Sequence, residues 1–81
     1  MARLIQTDNI IKNDVDISTL ERMQKLVGGY IEFVYVNDRG IILVCNEEGL
    51  LLNLPPNEQV AKMYGIALVG DVIEARRDEI D

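Results

Sequence analysis

The sequence predicts an α+β fold: a small mixed or antiparallel sheet with two short helices, in the order β-α-β-β-β-α-β. Three observations carry that prediction. Ser18-Thr19-Leu20-Glu21 has the form of a capping box and is followed by apolar residues at helical spacing. Residues 30–36 are a β-branched and aromatic run and residues 41–45 an apolar one, separated by the polar Asn37-Asp38-Arg39-Gly40. Asn57, just after Pro55 and Pro56, opens a second short helical stretch that Gly65 stops.

Each element follows in order. Residues 2–6 read as an opening strand, and Thr7, Asp8 and Asn9 as a polar connection. Residues 13–16 are turn-like. Ser18 is the expected N-cap of the first helix, with Glu21 reaching back to it. Leu20, Met23 and Val27 share a face, Lys25 suits the negative end of the helix dipole, and Gly28-Gly29 ends the helix through left-handed backbone. On the strand 30–36, Ile31, Phe33 and Tyr35 lie on one face. Asn37-Asp38-Arg39-Gly40 is the expected hairpin loop, its glycine suited to a positive φ. The returning strand 41–45 is apolar on both faces, so helices or a partner should cover both. Asn46-Glu47-Glu48-Gly49 is expected to turn the chain into a third strand at 50–52, completing a meander. Pro55 and Pro56 end that strand. In the second helix, residues 58–64, Val60, Ala61 and Tyr64 share a face. Residues 66–69 enter a final strand, which Gly70-Asp71 interrupts as a bulge or bend and residues 72–75 resume. Residues 76–81 are charged and expected to fray.

A chain of 81 residues holds one domain, divided here into an opening strand and loop (1–16), a core (17–75) and a charged tail (76–81). Its 48% hydrophobic content is high for so small an interior. Either the core is dense and aliphatic, or part of this surface is buried against a second copy, which makes a homodimer the expected state. A net charge of −6, with eight Lys and Arg in total, disfavours a nucleic-acid partner. The single Cys45 sits in the apolar run 41–45 and reads as a small hydrophobe. The absence of histidine excludes Cys–His and Ser–His catalysis and ordinary zinc ligation. No apolar stretch approaches the ~18 residues of a membrane span. No cofactor, no nucleic acid and no membrane partner is expected, and the expected location is the cytosol of a bacterial host.

Val27-Gly28-Gly29-Tyr30-Ile31-Glu32, Asn46-Glu47-Glu48-Gly49, Leu54-Pro55-Pro56-Asn57, Ala61 with Tyr64-Gly65, and Val69-Gly70-Asp71-Val72 occur in that order. The pattern, over roughly residues 17–74, resembles a family of small proteins known only as a domain of unknown function, common in bacteriophages, mobile elements and their bacterial hosts. The resemblance implies an α+β fold and a phage-like setting. This chain departs from it at Leu50-Leu51-Leu52, where many members carry a lysine-bearing polar segment.

Two constellations offer chemistry. Glu32, Glu47, Glu48 and Asp71 are the acid candidates; carboxylate clusters bind divalent cations or act as acid/base pairs, and in turns they are otherwise simply solvated. Asn46, Asn53 and Asn57 with Tyr30 and Tyr64 form the second set, since amides read hydrogen-bonding edges and aromatic rings stack on bases. Asn46 and Asn57 are equally explained as turn and cap residues. The free N–H groups after Pro56 are the best anion site.

The leading expectation is a non-enzymatic small-ligand binder, phage-encoded, which sequesters a nucleotide-derived signal of bacterial immunity. Tyr30 and Tyr64 would stack on the ligand and Glu32 would accept from a ribose hydroxyl or base amine. Asn46, Asn53 and Asn57 would read polar edges, with Lys62 on a phosphate. The alternative is an acidic inhibitor or regulator of a host protein, anchored by Leu50, Leu51 and Leu52. A metal-dependent hydrolase using the carboxylates ranks third.

Overall fold

Two antiparallel hairpins, one near each end of the sheet, are joined by the last strand of the chain. The computed structural model describes residues 2–36 and 40–80. β1 (Arg3–Ile5) and β2 (Ile11–Asn13) form the first hairpin, and β3 (Ile31–Val36) and β4 (Ile41–Asn46) form the second. β5 (Val72–Arg76) lies between β1 and β4, which gives the order β2-β1-β5-β4-β3 with every pairing antiparallel. The helices are α1 (Leu20–Val27), α2 (Glu58–Tyr64) and α3 (Arg77–Ile80). The fold is therefore α+β, as the sequence predicts.

Side chains alternate across a strand, so the continuous apolar run of β4 supplies both faces of the sheet. Ile42 and Val44 face α1, where they pack with Leu4, Met23, Val27, Ile73 and Ala75. Leu43 and Cys45 face the other way, with Ile5, Val72 and Val60 of α2. Helices cover the two faces, as the apolar pattern of 41–45 required. Burial pushes the Cys45 thiol above its ordinary pKa, with the nearby Glu32 charge acting in the same direction. The thiol packs as a small apolar group in this core.

Several local expectations need correcting. The N-cap of α1 is Thr19, whose hydroxyl accepts from the Arg22 N–H at 3.2 Å; the Ser18 N–H donates to Asp16 instead, at 2.9 Å. Leu20 is exposed, leaving Met23 and Val27 as the buried residues of that face. β2 has no counterpart among the expected elements, because a three-residue polar strand has no visible alternation; a turn with Asn9 at φ 70° returns it against β1. Residues 50–52 are not a strand. Their place beside β4 is taken by β5, and the segment satisfies its backbone locally through Leu52 N–H to Glu48 O (2.9 Å) and Leu54 N–H to Gly49 O (3.0 Å).

The second half of the chain differs in smaller ways. On α2, Val60 is buried with Met63 and Tyr64 packed beside it, whereas Ala61 is exposed. Residues 66–68 are not strand, and Val69 makes an isolated bridge to Pro56. The charged tail forms α3, tied by Arg77 N–H to Gly40 O at 2.9 Å, with Ile80 packed on the α1-side core. Gly40 has the expected positive φ of 65°, while Asn37, Asp38 and Arg39 of the expected hairpin loop lie outside the described residues.

Candidate functional site

Asn57 is the most heavily engaged polar side chain. It is 1% exposed, and its Nδ2 donates to Ile5 O at 2.8 Å and to Gly70 O at 2.9 Å. Its Oδ1 accepts from Val60 N–H at 3.1 Å, which caps α2 as the sequence predicts. One amide thus ties the end of β1, the 70–71 bend and the start of α2 together. Asn46 plays a smaller version of the same part. Its Nδ2 donates to Val27 O at 3.2 Å and its Oδ1 accepts from Glu48 N–H at 2.8 Å, which fixes the end of β4 to the end of α1. A Cβ on Gly29 would stand 2.9 Å from that Nδ2, so the second glycine of the pair is a matter of space. Both amides are engaged with backbone at both ends.

Of the remaining expected residues, Tyr30 and Glu32 lie near Asn46, and the set as a whole does not form one site. Tyr30 is exposed, beside the 46–49 turn through Glu47 N–H to Tyr30 O at 2.8 Å. Glu32 is exposed on β3 and shares a cleft of ≈ 120 Å³ with Asn46, Glu47, Leu50 and Leu68. Asn53 is exposed in left-handed backbone at φ 55°, and Lys62 is exposed on α2. Tyr64 turns inward, and its hydroxyl donates to Glu74. The acid candidates divide as well: Glu32 and Glu47 line this cleft and Asp71 lines another. Among the described residues, no group of three His, Cys, Asp or Glu could hold a metal ion.

Glu74 is the buried carboxylate that sequence reasoning missed. It lies on β5 opposite Arg3, whose Nε donates to it at 2.6 Å, and Tyr64 donates to its other oxygen. Burial pulls the Glu74 carboxyl upward, but the hydrogen bonds from Arg3 and Tyr64 and the Arg3 charge outweigh it and leave it below its ordinary pKa. A lone glutamate within the apolar run Val72-Ile73-Glu74-Ala75 was the available clue.

The larger cleft, ≈ 350 Å³, is lined by Thr7, Lys25, Val27, Gly28, Leu54, Pro55, Gly70 and Asp71, among others. Its walls are held by short backbone contacts. Asp71 Oδ1 accepts from Thr7 N–H at 3.1 Å, and Gly70 N–H donates to Pro55 O at 2.7 Å. Gly70 sits at φ 78°, a left-handed backbone that favours glycine, while a Cβ there would meet only the movable end of the Leu54 side chain, at 2.8 Å from Cδ1. Asn57 braces the 70–71 wall through Gly70 O. Lys25 is an exposed lining residue, and Asp71 is an acceptor held by Thr7. The cleft therefore joins three separate pieces of the sequence pattern: Val27-Gly28, Leu54-Pro55 and Gly70-Asp71.

A family model described as a domain of unknown function (DUF3846) matches residues 3–81. The chain belongs to that family. The DUF3846 match reaches beyond the 17–74 core to take in the β1–β2 hairpin and α3, so the five-stranded sheet lies within it. No curated protein and no solved structure matches the chain. No helix of this DUF3846 protein, among the described residues, is long and apolar enough to cross a membrane.

Proposed function

We propose that the protein is a non-enzymatic small-ligand binder that sequesters a nucleotide-derived signal of bacterial immunity in a phage-infected cell, and that the ligand sits in the cleft at the end of α1. The observation behind this reading is the convergence of Val27-Gly28, Leu54-Pro55 and Gly70-Asp71 on one cleft of ≈ 350 Å³, a size in the range of small-molecule sites. Lys25, which lines the cleft, suits a phosphate, and the Asp71 carboxylate, held by Thr7 N–H, suits a ribose hydroxyl or an exocyclic amine. Leu54 and Pro55 supply apolar wall for a sugar or base face.

The test is thermal melting of the purified protein with cyclic dinucleotides, cyclic trinucleotides and ADP-ribose derivatives. One ligand should raise the melting temperature by several degrees and be recovered intact after denaturation, because selective binding to the native state stabilises it. Lys25→Gln should weaken that ligand about 10- to 100-fold, as loss of a charge-assisted hydrogen bond does. No rise across the panel overturns the reading, and recovery of altered ligand would replace it with an enzyme.

The host-protein reading also has an observation in its favour. Leu50 and Leu51 are 81% and 80% exposed on the turn after β4, with Glu47 and Glu48 exposed beside them. Adjacent apolar anchors with a charged rim are the anatomy of a protein-binding patch. Leu50→Ser with Leu51→Ser should abolish capture of a host protein while leaving ligand-induced stabilisation unchanged.

A further inference from the structure

The two edges of the sheet are built differently. β2 closes one edge with three residues, of which Lys12 and Asn13 are exposed. Short length and an exposed lysine are the usual protection of a free edge. β3 closes the other edge with six residues, Ile31–Val36, whose single charge is Glu32. Phe33 and Tyr35 are 38% and 57% exposed on its α1-side face. Among the described residues nothing pairs with the outer side of β3.

The backbone groups free for pairing can be assigned. Tyr30 O accepts from Glu47 N–H at 2.8 Å, and Glu32 O accepts from Cys45 Sγ at 3.8 Å, so the even-numbered residues turn their peptide groups toward β4. In an antiparallel ladder this direction alternates. The N–H and C=O groups of Ile31, Phe33 and Tyr35 therefore point outward, on one apolar row in which Phe33 and Tyr35 are exposed and Ile31 is half-buried.

We infer that β3 pairs antiparallel with β3 of a second copy across a two-fold axis at Phe33, joining two five-stranded sheets into one continuous sheet. In this register Phe33 lies opposite Phe33 and Ile31 opposite Tyr35. All three outward-facing residues of each strand then exchange both backbone hydrogen bonds, about six in total. A shift by two residues in either direction loses part of that ladder. Each Glu32 falls opposite Val34, so the one carboxylate of the edge never faces its own copy. The aromatic side chains meet on one face, which favours the pairing further. Arg77 lies over the Tyr35 ring, 5.3 Å from its centroid, and helps to hold that row in place. The Leu50-Leu51 turn is a poorer self-interface, because Glu47 and Glu48 would be brought against their own copies.

Sedimentation equilibrium of the full chain should give twice the monomer mass, and Phe33→Lys should halve it while the far-UV circular dichroism is unchanged. Amide exchange should show residues 31, 33 and 35 protected in the wild-type dimer and unprotected in the Phe33→Lys protein. Should Phe33→Lys fail to fold, Phe33→Cys gives an independent reading. Hydrogen-bonded partners on the axis are about 5.5 Å apart at Cα, within disulfide reach. Mild oxidation of the Phe33→Cys protein should therefore yield a covalent dimer absent from wild type, whose Cys45 is buried. A monomeric wild type, including one that binds a strand from another protein, overturns the inference. So does a dimer whose Ile31, Phe33 and Tyr35 amides exchange freely, or a Phe33→Cys protein that does not cross-link.

Discussion

Asn57→Ala is expected to cost about 3–6 kcal/mol, which for a domain of this size approaches the whole margin of folding. The side chain caps α2, and the loss of a cap alone costs about 1 kcal/mol. The larger part comes from Ile5 O and Gly70 O, buried carbonyls that each lose a donor at 2.8 and 2.9 Å. Leaving a buried acceptor unsatisfied costs about 1–3 kcal/mol. Asn57→Asp separates the two contributions. Aspartate caps helices as well as asparagine does, so the Val60 N–H keeps its acceptor, but a carboxylate oxygen replaces the amide that faced two carbonyls. Urea unfolding should place Asn57→Asp at or below Asn57→Ala in stability, with Asn57→Ser at or above Ala because serine keeps the cap. An aspartate variant within about 1 kcal/mol of wild type would show that the link to Ile5 and Gly70 contributes nothing beyond the cap.

The second large effect belongs to the Arg3–Glu74–Tyr64 cluster and depends on pH. Arg3→Met should destabilise the protein by about 1–3 kcal/mol at neutral pH, for a reason of degree. Breaking a fully buried pair costs about 3–5 kcal/mol, and the Arg3 side chain, at 33% exposure, is partly screened by solvent. The Glu74 carboxyl titrates below its ordinary value of 4.5 in the folded state. Its contribution is therefore full above the unfolded pKa and is lost as the pH falls through the lower, folded one. Wild type should lose stability in that acid window. The gap between wild type and Arg3→Met should be widest near pH 7 and close as Glu74 becomes protonated. A gap that stays constant down through that window would show that Arg3 acts through packing alone.

The elements with local causes were legible in the sequence. Asn57 and Gly65 bound α2, Gly28 ends α1 at φ 82°, and the unbroken apolar run of β4 announced a strand covered on both faces. What was not legible depended on partners distant in sequence. Leu50, Leu51 and Leu52 have the composition of a strand, yet the neighbouring position on β4 belongs to β5, which arrives only after α2 and sets Arg76 against Ile41. β2 exists only because β1 pairs with it. The site shows the same division. Asn46 and Asn57 looked able to read a ligand and are instead joined to backbone from other segments, Val27 in one case and Ile5 with Gly70 in the other. Lys25 and Asp71 were visible as a helix-end cation and a turn carboxylate, but only the folded chain sets them around one cleft. Glu74 could be seen as a charge in an apolar strand, whereas its Arg3 partner lies at the opposite end of the chain.

The central position of β5 also bears on how the chain is made. During synthesis the β1–β2 and β3–β4 hairpins emerge early, but the strand that lies between them is residues Val72–Arg76. Until it leaves the ribosome, the two hairpins have no common sheet and α1 has only part of its platform. Until then the nascent chain carries the facing edges of β1 and β4 unpaired, the condition under which chaperone binding and misassembly compete with folding. Completion of the sheet therefore waits for Val72–Arg76. A chain truncated before Val72 should hold two unjoined hairpins rather than one sheet.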